Sequence, residues 1–442
     1  MHFRFRAGCW QPLPKLTLIS NVNIFDGKTE KLHKNMHVLV KDNLIEKVSN
    51  EPLAIIQTDN VTMIDGGGRT MIPGMIDVHW HTYYANMTVS HLFQNADMSD
   101  VAITGLLGSE KTLMRGFTTV RDIGGNPFAV KNAIDAGKFP GPRMLVSGPP
   151  LGQTGGHFDL TGYSDVPRQP ADSLSYWERN GLFAIADGVP DVTRKAREIL
   201  RMGATQIKIA GGGGVTSVYD PLDVTEYSLE EMQAIVGVAE NWNTYVAAHI
   251  FTDEAIQRAI KAGIKTIEHG NLIMKKETLK MMKDNGVWLS AQPLIDDEDR
   301  LVFDNPVSTA KWIKVTDGTG RNYEAAKAMG VKIAFGTDML FDPEASSKQG
   351  KLVAKLKNWF TPYEILKMVT SDNAELLKMS GPRHPYQEGP LGVIAEGAYA
   401  DMLLVDGNPL EIKTHRKSAY NPAILQEIGR REFHTKFLTV PL

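Results

Sequence analysis

Six side chains that could bind metal ions stand at the ends of apolar segments in this 442-residue sequence. In the string DVHWH, His79 and His81 are two residues apart, and side chains at that spacing point to one face of a strand. Imidazole nitrogens and carboxylate oxygens suit a borderline divalent cation such as zinc. The sequence therefore predicts a metal centre with the ligands His79, His81, Lys208, His249, His269 and Asp338.

The lysine of this set needs its own chemistry, because an ammonium group repels metal ions. If two nearby cations keep the Lys208 amine neutral, it can add carbon dioxide to form an anionic carbamate that bridges two metals. Two ions about 3.5–4 Å apart can hold a hydroxide and polarise a carbonyl group. We therefore expect two divalent ions, with Zn²⁺ as the predicted metal, and a substrate that contains a carbonyl group.

Each of these residues also has an ordinary explanation when taken alone. A single buried histidine is usually a hydrogen-bonded core residue, a strand lysine usually faces solvent, and a His-x-His pair occurs by chance in many chains. Their combination favours a metal centre, because all six residues fall at the ends of predicted strands.

The elements that must position these residues are strands alternating with amphipathic helices. Ser228 and Glu231 form a predicted capping box, Thr361 and Glu364 form another, and Gly203 suits a left-handed helix end. Strands alternating with helices over about 250–300 residues indicate a (β/α)8 TIM barrel, whose chemistry lies at the C-terminal strand ends. The predicted strands are Ile72–His81, Thr118–Ile123, Arg143–Ser147, Gln206–Ala210, Tyr245–Ile250, Thr266–His269, Trp288–Gln292 and Lys332–Thr337.

Short strand patterns on both sides of the barrel predict a small composite β-sandwich built from the N- and C-terminal segments. We therefore expect an N-terminal arm and sandwich part in 1–69, the barrel in 70–380, and a C-terminal sandwich part with a tail in 381–442. The segment 149–187 has little regular pattern and is predicted to be an active-site loop. No closing sandwich strand is recognisable after Pro409.

Composition excludes several classes of protein. The 48 basic and 51 acidic residues give a net charge of −3, which offers no electrostatic case for a nucleic-acid partner. The single cysteine, Cys9, excludes an internal disulfide and a cysteine-built zinc site. No apolar run reaches about 18 residues, so no membrane span is predicted. We expect a cytoplasmic homo-oligomer that acts on a small molecule, with secretion or a periplasmic location left open.

The strings MIPGMIDVHWH, IKIAGGGG, AAHIF, TIEHGNLI and FGTD together resemble the amidohydrolase superfamily. The resemblance is to the binuclear branch that contains imidazolonepropionase-like proteins, prolidase-type Xaa-Pro dipeptidases and ochratoxin-type amidases, and it extends over 16–409. It implies that the strand-one histidines bind the first metal and that the strand-five and strand-six histidines bind the second. It further implies that Lys208 is the carboxylated bridge and that Asp338 binds the first metal and acts as the base.

Two further positions match this branch and lie in predicted loops. The strings TGGHFD and TEYS contain His157 and Tyr227, and the resemblance implies that these residues hold the carbonyl or the terminal carboxylate of the substrate. A loop-stabilising histidine and a packing aromatic residue are the alternatives at these two positions.

The function predicted from these features is hydrolysis of the amide bond of a dipeptide or an N-acyl amino acid. A hydroxide bridging two metals would attack the carbonyl, Asp338 would transfer its proton to the departing nitrogen, and His157 would steady the oxyanion. One alternative is a mononuclear imidazolonepropionase-like cyclic amidase or deaminase, against which Lys208 argues. The other is a non-catalytic scaffold, against which the complete set of ligands argues.

Overall fold

A computed structural model describes residues 14–58, 60–162, 174–217 and 219–411. Its strands are β1 (Leu16–Ile24), β2 (His33–Lys41), β3 (Leu44–Ser49), β4 (Val61–Asp65), β5 (Thr70–Pro73), β6 (Met75–Trp80), β7 (Phe117–Asp122), β8 (Arg143–Val146), β9 (Leu151–Gly152), β10 (Ala184–Ile185), β11 (Ile207–Ala210), β12 (Val246–Thr252), β13 (Thr266–Leu272), β14 (Trp288–Ala291), β15 (Lys332–Phe335) and β16 (Met402–Val405). Its α-helices are α1 (Met98–Met114), α2 (Phe128–Asp135), α3 (Tyr176–Arg179), α4 (Val189–Arg201), α5 (Leu229–Asn241), α6 (Asp253–Ala262), α7 (Lys276–Asp284), α8 (Pro306–Met329), α9 (Pro343–Ser347), α10 (Gln349–Lys355), α11 (Pro362–Lys367) and α12 (Asn373–Leu377).

Both ends of the chain build one mixed sheet. Its strands run in the order β16-β5-β1-β2-β3, and β4 pairs with β1 in parallel. The C-terminal strand β16 pairs antiparallel with β5, with Met402 opposite Pro73 and Val405 opposite Thr70. The predicted joining of the two chain ends is therefore observed as a sheet, and the predicted tail after residue 411 lies outside the described residues.

The remaining strands form two parallel sheets, which carry the site. One has the order β10-β9-β11-β12-β13-β14-β15, and the other has the order β6-β7-β8. Strands β6, β7, β11 and β14 are buried along their whole length, as expected where both faces of a parallel sheet are covered. Two backbone hydrogen bonds of 2.8 Å link the sheets: the N–H of Thr205, just before β11, donates to Val146 of β8, and the N–H of Asp338, just after β15, donates to His79 of β6.

The predicted strand 72–81 is two strands in different sheets. Pro73 has no N–H to continue a ladder, and the N–H of Gly74 donates to the carbonyl of Asp401 at 2.7 Å. A Cβ at Gly74 would lie 2.1 Å from Oγ1 of Thr118, so only glycine fits where the chain passes from one sheet to the other. The other seven predicted strands each overlap an observed strand, β7, β8 and β11–β15.

Local end signals place the helices that flank the site strands. The side chain of Ser228 accepts from the N–H of Glu231 at 3.2 Å, and Glu231 accepts from the N–H of Ser228 at 2.8 Å, which confirms the capping box of α5. The second capping box, at Thr361, is also confirmed. Gly203 has φ 103° just after α4, as predicted. In the described chain, no helix combines the length and apolar character that a membrane span requires.

Candidate active site

The structure brings all five predicted site histidines into one continuous row of rings. Ring centroids are 5.4 Å apart between His81 and His79, and 5.1 Å apart between His79 and His269. The row continues at 4.4 Å from His269 to His249 and at 3.9 Å from His249 to His157. These residues come from strands or loops that are distant in sequence, and they meet because the C-terminal ends of parallel strands share one edge.

At one end of the row, three ligand atoms converge. Nε2 of His79 and Nε2 of His81 each lie 3.0 Å from Oδ1 of Asp338. Nδ1–H of His79 donates to Oε2 of Glu268 at 3.0 Å, so Nε2 carries the lone pair of the neutral ring. A suitable ligand atom of each of the three residues lies within 4.8 Å of the others, so His79, His81 and Asp338 form a group that could hold a metal ion.

In the middle of the row, two more nitrogen lone pairs face each other. Nε2–H of His249 donates to the carbonyl of Gly213 at 3.1 Å, and a carbonyl can only accept. Nδ1–H of His269 donates to Oε1 of Gln292 at 2.7 Å; the Gln292 amide is oriented by its Nε2–H, which donates to the carbonyl of Ser290 at 3.0 Å. The neutral rings therefore turn bare nitrogens toward each other, Nδ1 of His249 and Nε2 of His269, at 2.7 Å.

Protonation of these buried imidazole rings is unfavourable. Burial lowers the pKa of His249 well below its ordinary value and lowers the pKa of His269 to about 3. Burial likewise lowers the pKa of His81 to about 4. Neutral imidazoles whose lone pairs converge are the form in which histidine binds metal, so the donor set fits a divalent cation.

The buried amine of Lys208 is within electrostatic range of both groups. Its positive charge contributes to lowering the pKa of three histidines, His81, His249 and His269. Burial lowers the pKa of Lys208 itself to about 8, against the opposing effect of the Glu268 and Asp338 carboxylates. About a tenth of this amine would therefore be neutral at pH 7, far more than for a lysine with an ordinary pKa.

A fully buried ion pair between Arg121 and Glu268 contacts the His79 ring. Nη2 of Arg121 lies 2.7 Å from Oε1 of Glu268, while the other oxygen of Glu268 accepts from His79. Nη1 of Arg121 also donates to the hydroxyl of Tyr245 at 3.1 Å. Burial alone would raise the pKa of Glu268, but the Arg121 guanidinium holds it well below its usual range. Glu268 is thus an anion that fixes the tautomer of a predicted metal ligand.

Comparisons with known proteins identify the family of this chain. A model described as the amidohydrolase family matches residues 70–430. An ochratoxinase from Aspergillus niger is 31% identical over 417 residues, which cover 90% of this chain and 82% of that protein. The chain belongs to the amidohydrolase family. The resemblance seen in the sequence is confirmed, and this amidohydrolase is a hydrolase that acts on carbon–nitrogen bonds.

Solved structures agree with the family assignment. A crystal structure of an amidohydrolase is 37% identical with a TM-score of 0.80, covering 90% of this chain and 93% of that one. A prolidase complexed with N-methylphosphonate-L-proline is 33% identical with a TM-score of 0.82, covering 94% and 97% of the two chains. The family and these structures imply an α/β, TIM-barrel-like fold. The family generally uses metal ions, and this amidohydrolase has a metal-capable group at His79, His81 and Asp338.

Two candidate ligands of this amidohydrolase have a strained backbone. His269 has φ 81° and Asp338 has φ 53°, in the left-handed region that side chains other than glycine rarely adopt. Neighbouring residues of a regular strand point to opposite faces, yet Glu268 bonds His79 and the His269 ring lies 5.1 Å from His79. The turned backbone at His269 breaks the alternation and brings both side chains to the same ligand.

The two predicted loop residues lie in different surroundings. The His157 ring stacks on His249, with an angle of 10° between the ring planes. Tyr227 is buried, and its hydroxyl donates to the carbonyl of Ala186 at 3.2 Å. The structure therefore adds His157 to the row of imidazoles and directs the Tyr227 hydroxyl to the main chain. A role for Tyr227 in binding a substrate carboxylate stays a prediction.

Several residues around the candidate ligands had no role predicted from the sequence. Glu268 directly precedes a predicted ligand, and a charged residue inside an apolar strand was an available signal. Gln292 closes the predicted strand seven, the position at which the other strands supply ligands. Arg121 and Asp220 gave no comparable signal, because their partners are distant in the sequence.

Proposed function

We propose that this amidohydrolase cleaves the amide bond of a dipeptide or an N-acyl amino acid with a free carboxylate on the leaving side, using two divalent metal ions. The observation that carries the proposal is the pair of donor groups on one row of imidazoles, with Lys208 within electrostatic range of both. Its relatives include a prolidase and an ochratoxinase, which favours an amide substrate such as a dipeptide or an N-acyl amino acid.

The proposed ligands follow the two donor groups. His79, His81 and Asp338 would hold one ion, and His249 and His269 would hold the other. Lys208 would join them as a carbamate, which needs a neutral amine and carbon dioxide. The lowered pKa of Lys208, about 8, supports this step because it makes the neutral amine accessible. Zn²⁺ is the proposed metal, since the donors are mainly imidazole nitrogens.

Residues of the chain would carry out proton transfer and stabilise the oxyanion. When bound, the metal ions supply an activated water and polarise the substrate carbonyl. Asp338 contacts both histidines through Oδ1, which leaves Oδ2 to take the proton of the attacking water and pass it to the departing nitrogen. His157, at the end of the row, is placed to steady the oxygen of the former carbonyl.

A substrate screen combined with metal analysis tests this function. Dipeptides and N-acyl amino acids would be assayed against the same compounds with an amide-capped carboxylate, and metal per chain would be measured by elemental analysis. We expect two metals per chain and faster turnover of the free acids. One metal per chain, with turnover of a cyclic amide or deamination, would favour the mononuclear alternative. Loss of all turnover with both metals bound would favour a scaffold.

The finer architecture and assembly belong to the same proposal. We propose that the hydrogen bonds joining the two parallel sheets close an eight-stranded (β/α)8 barrel spanning 70–380. We also propose that 1–69 and 381–442 complete a composite β-sandwich around the mixed sheet. A cytoplasmic homo-oligomer stays a prediction, which analytical ultracentrifugation and cell fractionation would test.

A further inference from the structure

The loop that follows β11 contacts the His157 ring at one nitrogen, Nδ1. Nδ1 lies 2.7 Å from the hydroxyl oxygen of Ser217 and 3.2 Å from Oδ2 of Asp220. An ionised carboxylate can only accept a hydrogen bond, so Nδ1 carries the hydrogen and Nε2 is the nitrogen left for another partner. Although burial raises the pKa of Asp220, the hydrogen bond with His157 contributes to bringing it below its ordinary value.

The same loop is anchored by a buried lysine. Nζ of Lys311, on α8, donates to the carbonyls of Gly214, Ser217 and Asp220 at 2.9, 2.8 and 2.8 Å. It also lies 4.0 Å from Oδ1 of Asp220, which has no hydrogen-bond partner in the described chain. Asp220 is only 2% exposed, so this cation offsets part of the cost of burying its charge.

The main chain of the loop also fixes the plane of the ring. The N–H of Gly214 donates to Oδ2 of Asp220 at 2.6 Å. A Cβ on Gly214 would lie 2.0 Å from Cε1 and Nδ1 of His157, so the ring is packed directly against this backbone. His249 stacks on His157 with ring centroids 3.9 Å apart. The ring is thus bounded by Gly214 and His249, and it is held in its plane at Nδ1.

We propose that Asp220, together with Ser217, is a positioning residue that holds the His157 imidazole with Nδ1–H toward the loop and Nε2 available to the substrate. Asp220 acts on the reaction only through His157, and Lys311 keeps Asp220 in place. The inference rests on the proposed function, because it assumes that His157 meets the substrate.

A double-mutant cycle tests this dependence. It compares Asp220→Asn, His157→Ala and the double variant, with Asp223→Asn as the control at an exposed carboxylate of the same loop. We expect Asp220→Asn to lower kcat about 10- to 100-fold, as for other residues that orient an active-site histidine, with little change in KM or metal content. In the His157→Ala background the same change should alter kcat by no more than about twofold. The same loss of kcat in both backgrounds would overturn the proposal.

Two further measurements keep the test decisive. If Asp220→Asn unfolds at the assay temperature, the same cycle is built on Ser217→Ala, and equal effects in both backgrounds again reject the positioning role. If the wild type has no amidase turnover, the proposed function is wrong, and ¹⁵N NMR of the His157 ring decides the positioning separately. We expect an Nδ1–H tautomer in the wild type that is lost in Asp220→Asn; an Nε2–H tautomer in the wild type would contradict it.

Discussion

The tautomers of the site histidines are fixed by groups that can only accept a hydrogen bond. The carbonyl of Gly213 accepts from His249, and the carboxylates of Glu268 and Asp220 accept from His79 and His157. Each of these contacts selects which nitrogen is left for a metal ion or a substrate. At the scale of the residue, the chemistry therefore depends on acceptors around the histidines as much as on the histidines.

Removal of the Lys208 amine tests the carbamate. We expect Lys208→Ala to abolish most activity and to reduce metal per chain measured by elemental analysis, because Lys208 is the proposed anionic bridge between the two donor groups. Partial recovery of activity with a short carboxylic acid would support the bridge. The exposed Lys261→Ala is the control. Two tightly bound metals with full turnover in Lys208→Ala would contradict the carbamate.

The hydroxyl of Tyr227 must leave the Ala186 carbonyl if it binds a substrate carboxylate. On that hypothesis, we expect Tyr227→Phe to raise KM for free-acid substrates about 10- to 100-fold, the value of one hydrogen bond to a charged group. KM for the matching amide-capped substrates should change little. Equal changes for both substrates, together with a lower Tm, would instead assign the hydroxyl to the Ala186 carbonyl alone.

The buried carboxyl of Glu226 makes stability depend on pH. Its Oε1 accepts from the N–H of His157 at 2.8 Å, its Oε2 has no partner in the described chain, and burial raises its pKa from 4.5 to about 8. Between these values the folded protein keeps a proton that the unfolded chain has released, so rising pH favours unfolding.

Glu226→Gln replaces the titrating carboxyl group with a neutral amide. We therefore expect the free energy of unfolding of Glu226→Gln to rise relative to wild type between pH of about 5 and about 8, measured by urea denaturation. The exposed Glu230→Gln should follow the wild type. Parallel curves for Glu226→Gln and wild type would show that Glu226 titrates normally.

At the scale of the element, the site depends on how closely β6 and β15 approach. A Cβ on Gly336, just after β15, would lie 2.3 Å from Cβ of His79 and 2.8 Å from its backbone nitrogen. The main-chain N–H of Asp338 donates to the carbonyl of His79 at 2.8 Å in the same region. Glycine in the FGTD string is therefore required for a close approach of two backbones.

Gly336→Ala should push these strands apart. We expect it to lower the free energy of unfolding by about 1–3 kcal/mol, the usual cost of overpacking, and to weaken metal binding measured by calorimetry. The control is Gly350→Ala in α10, where a Cβ would meet nothing within 4 Å. If Gly336→Ala bound metal as tightly as the control, the approach of β15 to β6 would not set the geometry of the ligands.

At the scale of the whole molecule, a buried ion pair connects the two parallel sheets. Arg121 lies on β7 of the three-stranded sheet, and Glu268 lies on β13 of the seven-stranded sheet. Both side chains are fully buried. Breaking such a pair by removing one partner leaves an uncompensated charge, which typically costs about 3–5 kcal/mol.

We therefore expect Arg121→Met to lower the free energy of unfolding by about 3–5 kcal/mol, measured by urea denaturation. The double variant Arg121→Met and Glu268→Gln should recover part of this loss, because it removes the remaining charge. A double variant no more stable than Arg121→Met would show that packing, and not charge, makes this residue important.

The sequence by itself indicated the candidate ligands and where most strands and helix ends fall. Those signals are local: apolar runs, capping boxes, and histidines at strand ends. Only the tertiary structure decided the hydrogen-bond partners of the site histidines, since Glu268 reaches His79 across 189 positions and Asp220 reaches His157 across 63. It also divided the predicted strand 72–81 between two sheets and directed the Tyr227 hydroxyl to a carbonyl. A pattern of period two or 3.6 specifies the face of an element, but the meeting of distant elements depends on how the sheets assemble.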